Sequence, residues 1–486
     1  MKRKSSNYIL YGVAAGLYPA LYFFSRKPDI LTSLEHYLFI FSFFLLLPTV
    51  SFLIIEKTSN YSKKYDKERL LTFYGVFSFL VLVQQITFVQ HHKKLIILSG
   101  VVALIISYFF YRHFLKIVVL QLLLSILTIP LLYDTIKLKN SYSKNWIKTS
   151  DTIEEAVFKK KPNVYFIEAD GYANFSELEK PLYNVKVDSF KEFVFSKGFK
   201  HYPNFRSNYP TTISSNASLF AMKHHYYNLD LKSDEVQHGR DIIMHDNATI
   251  KAFVNNGYNT TLITDTPYLL ANRPKTLFKQ SNYGFWNVSF LDNGIRKHRN
   301  NILEYFDEVL SEDFNKEQFF FIQFLNPWHI RTKSKNSKGG DIEKEKWLEG
   351  LEESNEIQIK LINKIKEKDP NALIVITADH GGYVGYDYTN QTKVKTTNRD
   401  SIMTIFSSNL LIHWPNGNNP EYDTELKSSV NLFRVLISYL SNEKSYLSNL
   451  QDNSSYIILD ENTHKGIYKY INDSGEVTFE PYYIPD

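Results

Sequence analysis

A chain of 486 residues is too long for one ordinary hydrophobic core, so two or more units are expected. Its net charge of +5 gives no argument for a nucleic-acid partner, and no nucleic acid is expected; much of the basic excess flanks apolar segments, where anionic lipid is the natural counterpart. The absence of cysteine excludes disulfides and thiolate metal sites, and it fits an extracytoplasmic location.

The first 136 residues are mostly apolar and aromatic and read as an α-helical membrane domain. Five stretches (8–25, 36–55, 70–89, 95–111 and 114–136) each come close to the roughly 20 residues that a membrane-crossing helix needs. A cleaved signal peptide is disfavoured, because the first stretch lacks a small-residue cleavage site and four more follow it. Lys2, Arg3 and Lys4, then Lys57, Lys63, Lys64, Lys67 and Arg69, then Arg112 and Lys116 lie in alternate loops. The intervening loops hold Arg26 and Lys27, then Lys93 and Lys94. The excess predicts a cytoplasmic N-terminus, and five crossings then put the remainder of the chain outside. His91 and His92 read as a solvated pair in a loop rather than a metal site.

Residues 137–161 form a polar, lysine-rich juxtamembrane linker, and residues 162–486 an α/β domain. Short apolar runs at 164–167, 260–264, 319–325 and 372–377 are predicted strands. Helical patterns at 249–256, stopped by Gly257, and at 344–368, ended at Asp369-Pro370, lie between them. That order implies a mostly parallel sheet between helices. Runs at 455–459 and 477–479, with a turn at 472–475, predict a small C-terminal β extension.

Two of the strands end in carboxylates followed by glycine: Glu168-Ala169-Asp170-Gly171 and Thr377-Ala378-Asp379-His380-Gly381-Gly382. Alone, each aspartate reads as a cap on the following helix. Together, on parallel neighbouring strands, Asp170, Asp379 and His380 would meet at the rim where open α/β sheets bind ligands. Two carboxylates and an imidazole there call for a cation, and the oxygen/nitrogen set suits one divalent ion, Mn²⁺, Mg²⁺ or Zn²⁺. The run Asn208-Tyr209-Pro210-Thr211-Thr212-Ile213-Ser214-Ser215 leads into an apolar helix start. By itself it reads as a plain N-cap, although a hydroxyl there would lie beside backbone N–H groups able to hold phosphate oxygens.

Asp170 at a strand end, Thr212 in the Ser-Asn-Tyr-Pro-Thr-Thr run and the Asp379-His380-Gly381 motif resemble the alkaline phosphatase/sulfatase superfamily. With five preceding spans, the chain is similar to its membrane branch of lipoteichoic acid synthases and phosphoethanolamine transferases. The resemblance implies an alkaline-phosphatase-like domain in which Asp170, Asp379 and His380 bind the metal and Thr212 is both ligand and nucleophile. Thr211 is the next candidate if the register is off by one. Glu168, on the same strand face as Asp170 by the period of two, is a substitute ligand or a support behind the metal. His329, in Pro327-Trp328-His329, resembles a histidine that contacts the transferred group, displaced here by one residue; it reads equally as packing beside Trp328.

Two departures narrow the chemistry. There is no Cys/Ser-x-Pro-x-Arg motif for formylglycine, so sulfate-ester hydrolysis of that type is not expected. His413 in an apolar run, and His224 and His225 after the hydroxyl-rich segment, read as structural, which leaves one metal. The expectation is transfer of a phosphoglycerol or phosphoethanolamine head group from a membrane lipid donor to an envelope glycan or lipid acceptor. A phosphoric or sulfuric ester hydrolase with the same site, and a non-catalytic membrane scaffold, are the alternatives.

Overall fold

A computed structural model describes residues 7–59, 64–88, 92–229, 231, 235–295 and 299–485. Of the residues named above, Lys2, Arg3, Lys4, Lys63 and His91 lie outside that set, as does the last residue of the 70–89 stretch. The chain divides into two units. One comprises Met1–Tyr142 with Leu270–Arg273 and Val288–Gly294; the other comprises Ser143–Leu269, Pro274–Asn287 and Ile295–Asp486.

The first unit is helical: α1 (Tyr8–Arg26), α2 (Leu34–Thr58, with a π-helical turn at Phe41–Leu46), α3 (Lys64–Thr87), α4 (Lys93–Phe110), α5 (Phe114–Ile126) and α6 (Ile129–Ser141). By length and composition, four helical runs among the described residues are apolar enough to cross a membrane, the last extending over 55 residues, Lys93–Ile147. Five were expected. The difference lies at Tyr111–His113, where a single 3₁₀ turn, with no polar loop, separates α4 from α5.

Ring contacts give the directions of these helices. Tyr11 meets Phe52 and Phe114, and Phe52 meets Tyr74, so the start of α1, the end of α2 and the starts of α3 and α5 share one end. Arg69 lies over Tyr108 and Tyr111, which brings the end of α4 there too. At the other end Phe23 stacks on Phe44, and the Thr135 hydroxyl donates to the Ser25 carbonyl. The chain therefore passes through this unit five times. The first two helices approach through small residues: a Cβ on Gly16 would lie 1.6 Å from the Phe44 carbonyl oxygen. Leu38, Leu104, Phe109, Leu115 and Leu127 face outward, as lipid-facing side chains do.

The second unit is built on a seven-stranded sheet ordered β2-β7-β6-β1-β5-β3-β4. Its strands are β1 (Val164–Ala169), β2 (Lys200–His201), β3 (Asn259–Thr264), β4 (Gln280–Ser281), β5 (Gln318–Phe324), β6 (Leu373–Thr377) and β7 (Leu410–His413). The five strands from β6 to β4 are parallel, and β7 alone runs antiparallel to its neighbours β6 and β2. Their burial on both faces explains the continuous apolar runs. Alternation then sorts β1. Tyr165 and Ile167 join one core with Leu361, Ile362 and Ile365 of α10 (Gly340–Lys368). Phe166 packs on the opposite face against Phe220 of α7 (Thr212–Ala221) and Phe433 of α12 (Ser429–Ser441). Two further helices, α8 (Ala248–Asn255) and α9 (Ile302–Ser311), and the short α11 (Arg399–Phe406) complete the layers.

A second, three-stranded antiparallel sheet holds β8 (Ser455–Leu459), β9 (Gly466–Ile471) and β10 (Val477–Tyr483). The middle strand was not expected, because apolar and aromatic residues at consecutive positions hide its alternation. Residues 143–161 carry two 3₁₀ turns, and Ile153, Ala156 and Phe158 there are buried. Asp151 pairs with the buried Arg434 of α12 at 2.5 Å.

Gly16→Leu should separate α1 from α2 and lower the thermal unfolding midpoint of the detergent-solubilised protein by several degrees. An unchanged midpoint would contradict the close crossing.

Candidate active site

The site grows from the register of β1 and β6. Glu168 pairs with Thr377, so two residues further on Asp170 and Asp379 leave the same edge of the sheet. Tight backbone contacts hold both exits. Gly171 has φ +73°, and a Cβ there would lie 2.0 Å from the Trp328 carbonyl oxygen, while the Trp328 N–H donates to the Asp170 carbonyl at 2.8 Å. Beyond Asp379, a Cβ on Gly381 would lie 2.1 Å from the Thr404 carbonyl oxygen.

Helix α7 brings the hydroxyl. Thr211 is its extended N-cap residue (φ −127°, ψ 150°), but the Thr211 side chain makes no capping bond. Thr212 opens the helix, and its Oγ1 donates to Asp170 Oδ2 at 3.2 Å and lies 3.4 Å from His380 Nε2. Thr212, not Thr211, meets the strand-end residues. Thr211 Oγ1 is buried without a hydrogen-bond partner among the described residues.

The donor atoms are arranged as for a cation. One ligand atom from each of Asp170, Asp379 and His380 lies within 4.8 Å of the others, and all three residues are buried. His380 Nδ1 faces the Gly381 carbonyl at 2.8 Å and must donate to it, which leaves Nε2 as a lone pair. In the neutral ring that lone pair faces Asp379 Oδ2 at 3.3 Å, so an imidazole ready to bind a metal and a carboxylate oxygen point at the same space. Asp379 Oδ1 accepts the Gly171 and His380 N–H groups, but Asp379 Oδ2 and Asp170 Oδ1 have no hydrogen-bond partner among the described residues. Burial, then the neighbouring Asp379 and Glu168, push the Asp170 carboxyl well above the usual carboxylate range. These orphaned oxygens and the imidazole lone pair fit a divalent metal ion.

Glu168 stands behind this cluster rather than in it. Its Oε1 accepts from Asn216 of α7 and Gln323 of β5, each at 2.8 Å. Burial, with Asp379 adding, pushes its carboxyl up to about 8. His329 is close: its ring centroid lies 5.9 Å from those of His380 and Tyr383, and its Nδ1 faces the Ile330 carbonyl at 2.6 Å, leaving Nε2 open. Burial, and then the neighbouring His380, lower it to about 4, so the ring is neutral at pH 7. A cleft of about 840 Å³ opens beside it, lined by Trp328, Arg299, Arg331 and Glu353 among others.

The sequence reading missed part of the setting. Asp265 follows β3 as Asp170 and Asp379 follow their strands, a signal that was available. Its Oδ2 accepts the Leu325 N–H at 2.9 Å, and burial raises it to about 6. Arg299 lies 3.7 Å from Asp265, 5.2 Å from the Trp328 ring centroid, and near enough to favour ionised Asp170. No periodic pattern marks its segment. The remaining histidines have structural partners: His224 with Tyr209 and the Asp452 carbonyl, His225 with the Ser214 carbonyl, His413 with the Ala372 carbonyl and Lys366.

The rim defines a class, α/β enzymes whose chemistry sits beyond the carboxyl ends of the strands. The family model for sulfatases matches residues 195–441, just over half of the chain, and the chain belongs to that family of enzymes. Thr212, Asp379 and His380 fall inside the match; Glu168 and Asp170 precede it. Among solved structures, the chain is similar to the C-terminal periplasmic domain of EcEptC from Escherichia coli (14% identity, covering 64% of this chain and 93% of that one, TM-score 0.43). It is similar to the integral membrane lipooligosaccharide phosphoethanolamine transferase A from Neisseria meningitidis (12%, 90% and 96%, TM-score 0.39). It is also similar to the periplasmic domain of the phosphoethanolamine transferase EptC from Campylobacter jejuni (12%, 60% and 94%, TM-score 0.37). No curated protein matches the sequence.

The raised carboxyl of Glu168 gives a pH test. A carboxyl raised on folding binds its proton more tightly in the folded state, so stability falls as pH rises from its ordinary 4.5 towards about 8. With chelator, the unfolding midpoint should fall across that window. Saturating Mn²⁺ should raise the midpoint more at its upper end than at its lower end, and equal metal effects at both ends would contradict the charge balance described.

Proposed function

We propose that the protein is a membrane-anchored, metal-dependent phosphotransferase. It moves a phosphoglycerol- or phosphoethanolamine-type head group from a lipid donor to an envelope glycan or lipid through a phosphothreonine at Thr212. One observation carries the reading: the Thr212 hydroxyl, at the start of α7, lies within hydrogen-bond reach of both Asp170 and His380. A divalent ion held by Asp170, Thr212, Asp379 and His380 would supply the positive charge that favours a threonine alkoxide and offsets phosphate charge.

Thr212 Oγ1 attacks the donor phosphorus. The bond from phosphorus to the lipid alcohol breaks, and that alcohol leaves with a proton. In the second step an acceptor hydroxyl attacks the same phosphorus, loses its proton, and Thr212 Oγ1 is released. Backbone N–H groups in the first turn of α7 hold phosphate oxygens. His329, neutral with Nε2 open, orients the transferred group, and Glu168 supports the floor through Asn216 and Gln323.

The five helical passes support five bilayer crossings. With the N-terminus cytoplasmic, by the loop charges, the catalytic domain lies outside. Tethering keeps the site near a lipid-borne donor at high effective concentration.

The family favours a second reading, hydrolysis at the same site with water as acceptor. Labelled lipid separates the two, since transfer labels the acceptor and hydrolysis releases free head group. Thr212→Ala should lower either activity by on the order of 10⁴-fold or more and abolish covalent labelling of the protein, and full-rate transfer by that variant would overturn the proposal. His329→Gln should reduce kcat roughly 10²-fold while leaving metal affinity, measured by titration calorimetry, unchanged.

A further inference from the structure

The largest exposed apolar side chain of the described residues lies outside the membrane helices: Trp286 is 85% exposed. It sits in a 3₁₀ turn, Phe285–Asn287, that the surrounding residues hold firmly. Just before it, Asn282 bonds the backbone of Thr264 through both amide atoms, at 2.7 and 3.0 Å, and the Tyr283 hydroxyl donates to the Asp265 carbonyl at 2.9 Å. The turn is closed by Asn287, whose N–H donates to the Gly284 carbonyl and whose Oδ1 accepts the Gly284 N–H. Phe285 meets the indole edge-on at 4.9 Å. A tryptophan presented so rigidly to water loses the benefit of burial unless something covers it.

The next residues show what lies nearby. Val288–Gly294 groups with the helical first unit. Phe290 stacks on Phe39 of α2 at 4.5 Å, Arg273 lies 3.6 Å over the Phe290 ring, and Leu291 packs against Ala20, Phe44 and Leu82. Phe39 is near the start of α2, an end that carries Glu35 and is therefore close to the water boundary. Four residues of chain reach at most about 14 Å, so Trp286 is tethered a short length of chain from the residue that stacks on that end.

We propose that the Phe285–Trp286 turn is a membrane anchor additional to the spanning helices, with the Trp286 indole seated in the headgroup layer of the bilayer. Indole suits that layer, with an apolar body for acyl chains and an N–H for headgroup or water oxygens. The occupant is lipid, and Arg273, which lies over the Phe290 ring, supplies a cation for a lipid phosphate. This anchor does not depend on the reaction assigned to Thr212.

The chain has no cysteine, so Trp286→Cys offers one labelling position on an otherwise unaltered protein. The full chain, carrying a nitroxide there, is placed in nanodiscs of phosphatidylcholine and phosphatidylglycerol. Collision with lipid-soluble oxygen should exceed collision with a water-soluble nickel chelate. The reverse order, matching a free aqueous nitroxide, would overturn the anchor. So would protection from both probes, which would mean that a second protein surface covers the turn. As a check that the label itself does not insert, brominated lipid should quench the tryptophan emission of the wild type more than that of Trp286→Phe. Equal quenching overturns the proposal.

Discussion

The second unit is organised around a charge problem that protein groups alone do not solve. Asp170 and Asp379 leave adjacent parallel strands at the same level, His380 turns its lone pair towards them, and all are buried. Hydrogen bonds satisfy Asp379 Oδ1 and Asp170 Oδ2, and leave Asp379 Oδ2 and Asp170 Oδ1 bare among the described residues. Neutral partners would have been simple to supply, since Asn216 and Gln323 do that for Glu168 a short way behind. Bare oxygens beside an imidazole, with one oxygen of the carboxylate behind them held by two amide donors, are what a cation site requires.

The backbone shows how closely that row is fixed. Gly171 allows the segment carrying Trp328 and His329 to lie against the end of β1, and the Trp328 N–H to reach Asp170. Gly381 does the same between β6 and the carbonyl of Thr404, and a side chain at Gly382 would strike the Trp347 indole. Substitution at these positions moves the metal-facing atoms, because the strand exits and the packed loops occupy the same space. The precision of the site therefore rests as much on missing Cβ atoms as on the side chains that carry charge.

Much of this was legible in the sequence where local pattern and tertiary demand coincide. The strands bearing Asp170 and Asp379 are continuous apolar runs ending in a carboxylate and glycine, and their parallel pairing follows from the βα order. Thr212 was harder, since both Thr211 and Thr212 precede the same apolar helix. Their difference is one of helix phase, Thr211 extended at the cap and Thr212 turned inward towards Asp170. Arg299, Asn216 and Gln323 were not legible, because nothing local distinguishes a polar residue that will be buried beside a charge from one that will be solvated. The central strand of the C-terminal sheet was hidden by burial on both faces, which removes the alternation a half-exposed strand shows.

The break at Tyr111–His113 has consequences far larger than its size. A straight helix over 55 residues would run roughly 80 Å, against a hydrocarbon core of about 30 Å. A run of that length fits such a layer only if it turns, and it turns where Arg112 gives a charge and Arg69 lies over Tyr108 and Tyr111. Phe114 then meets both Tyr11 and Phe52, so the next helix starts at the end where α1 starts. An odd number of passes separates the two ends of the bundle. Had those three residues continued the helix, the same composition would give an even number of passes. The direction of the last helices is thus set by one short turn and the aromatic contacts that hold it, more than by the hydropathy that marks the helical runs.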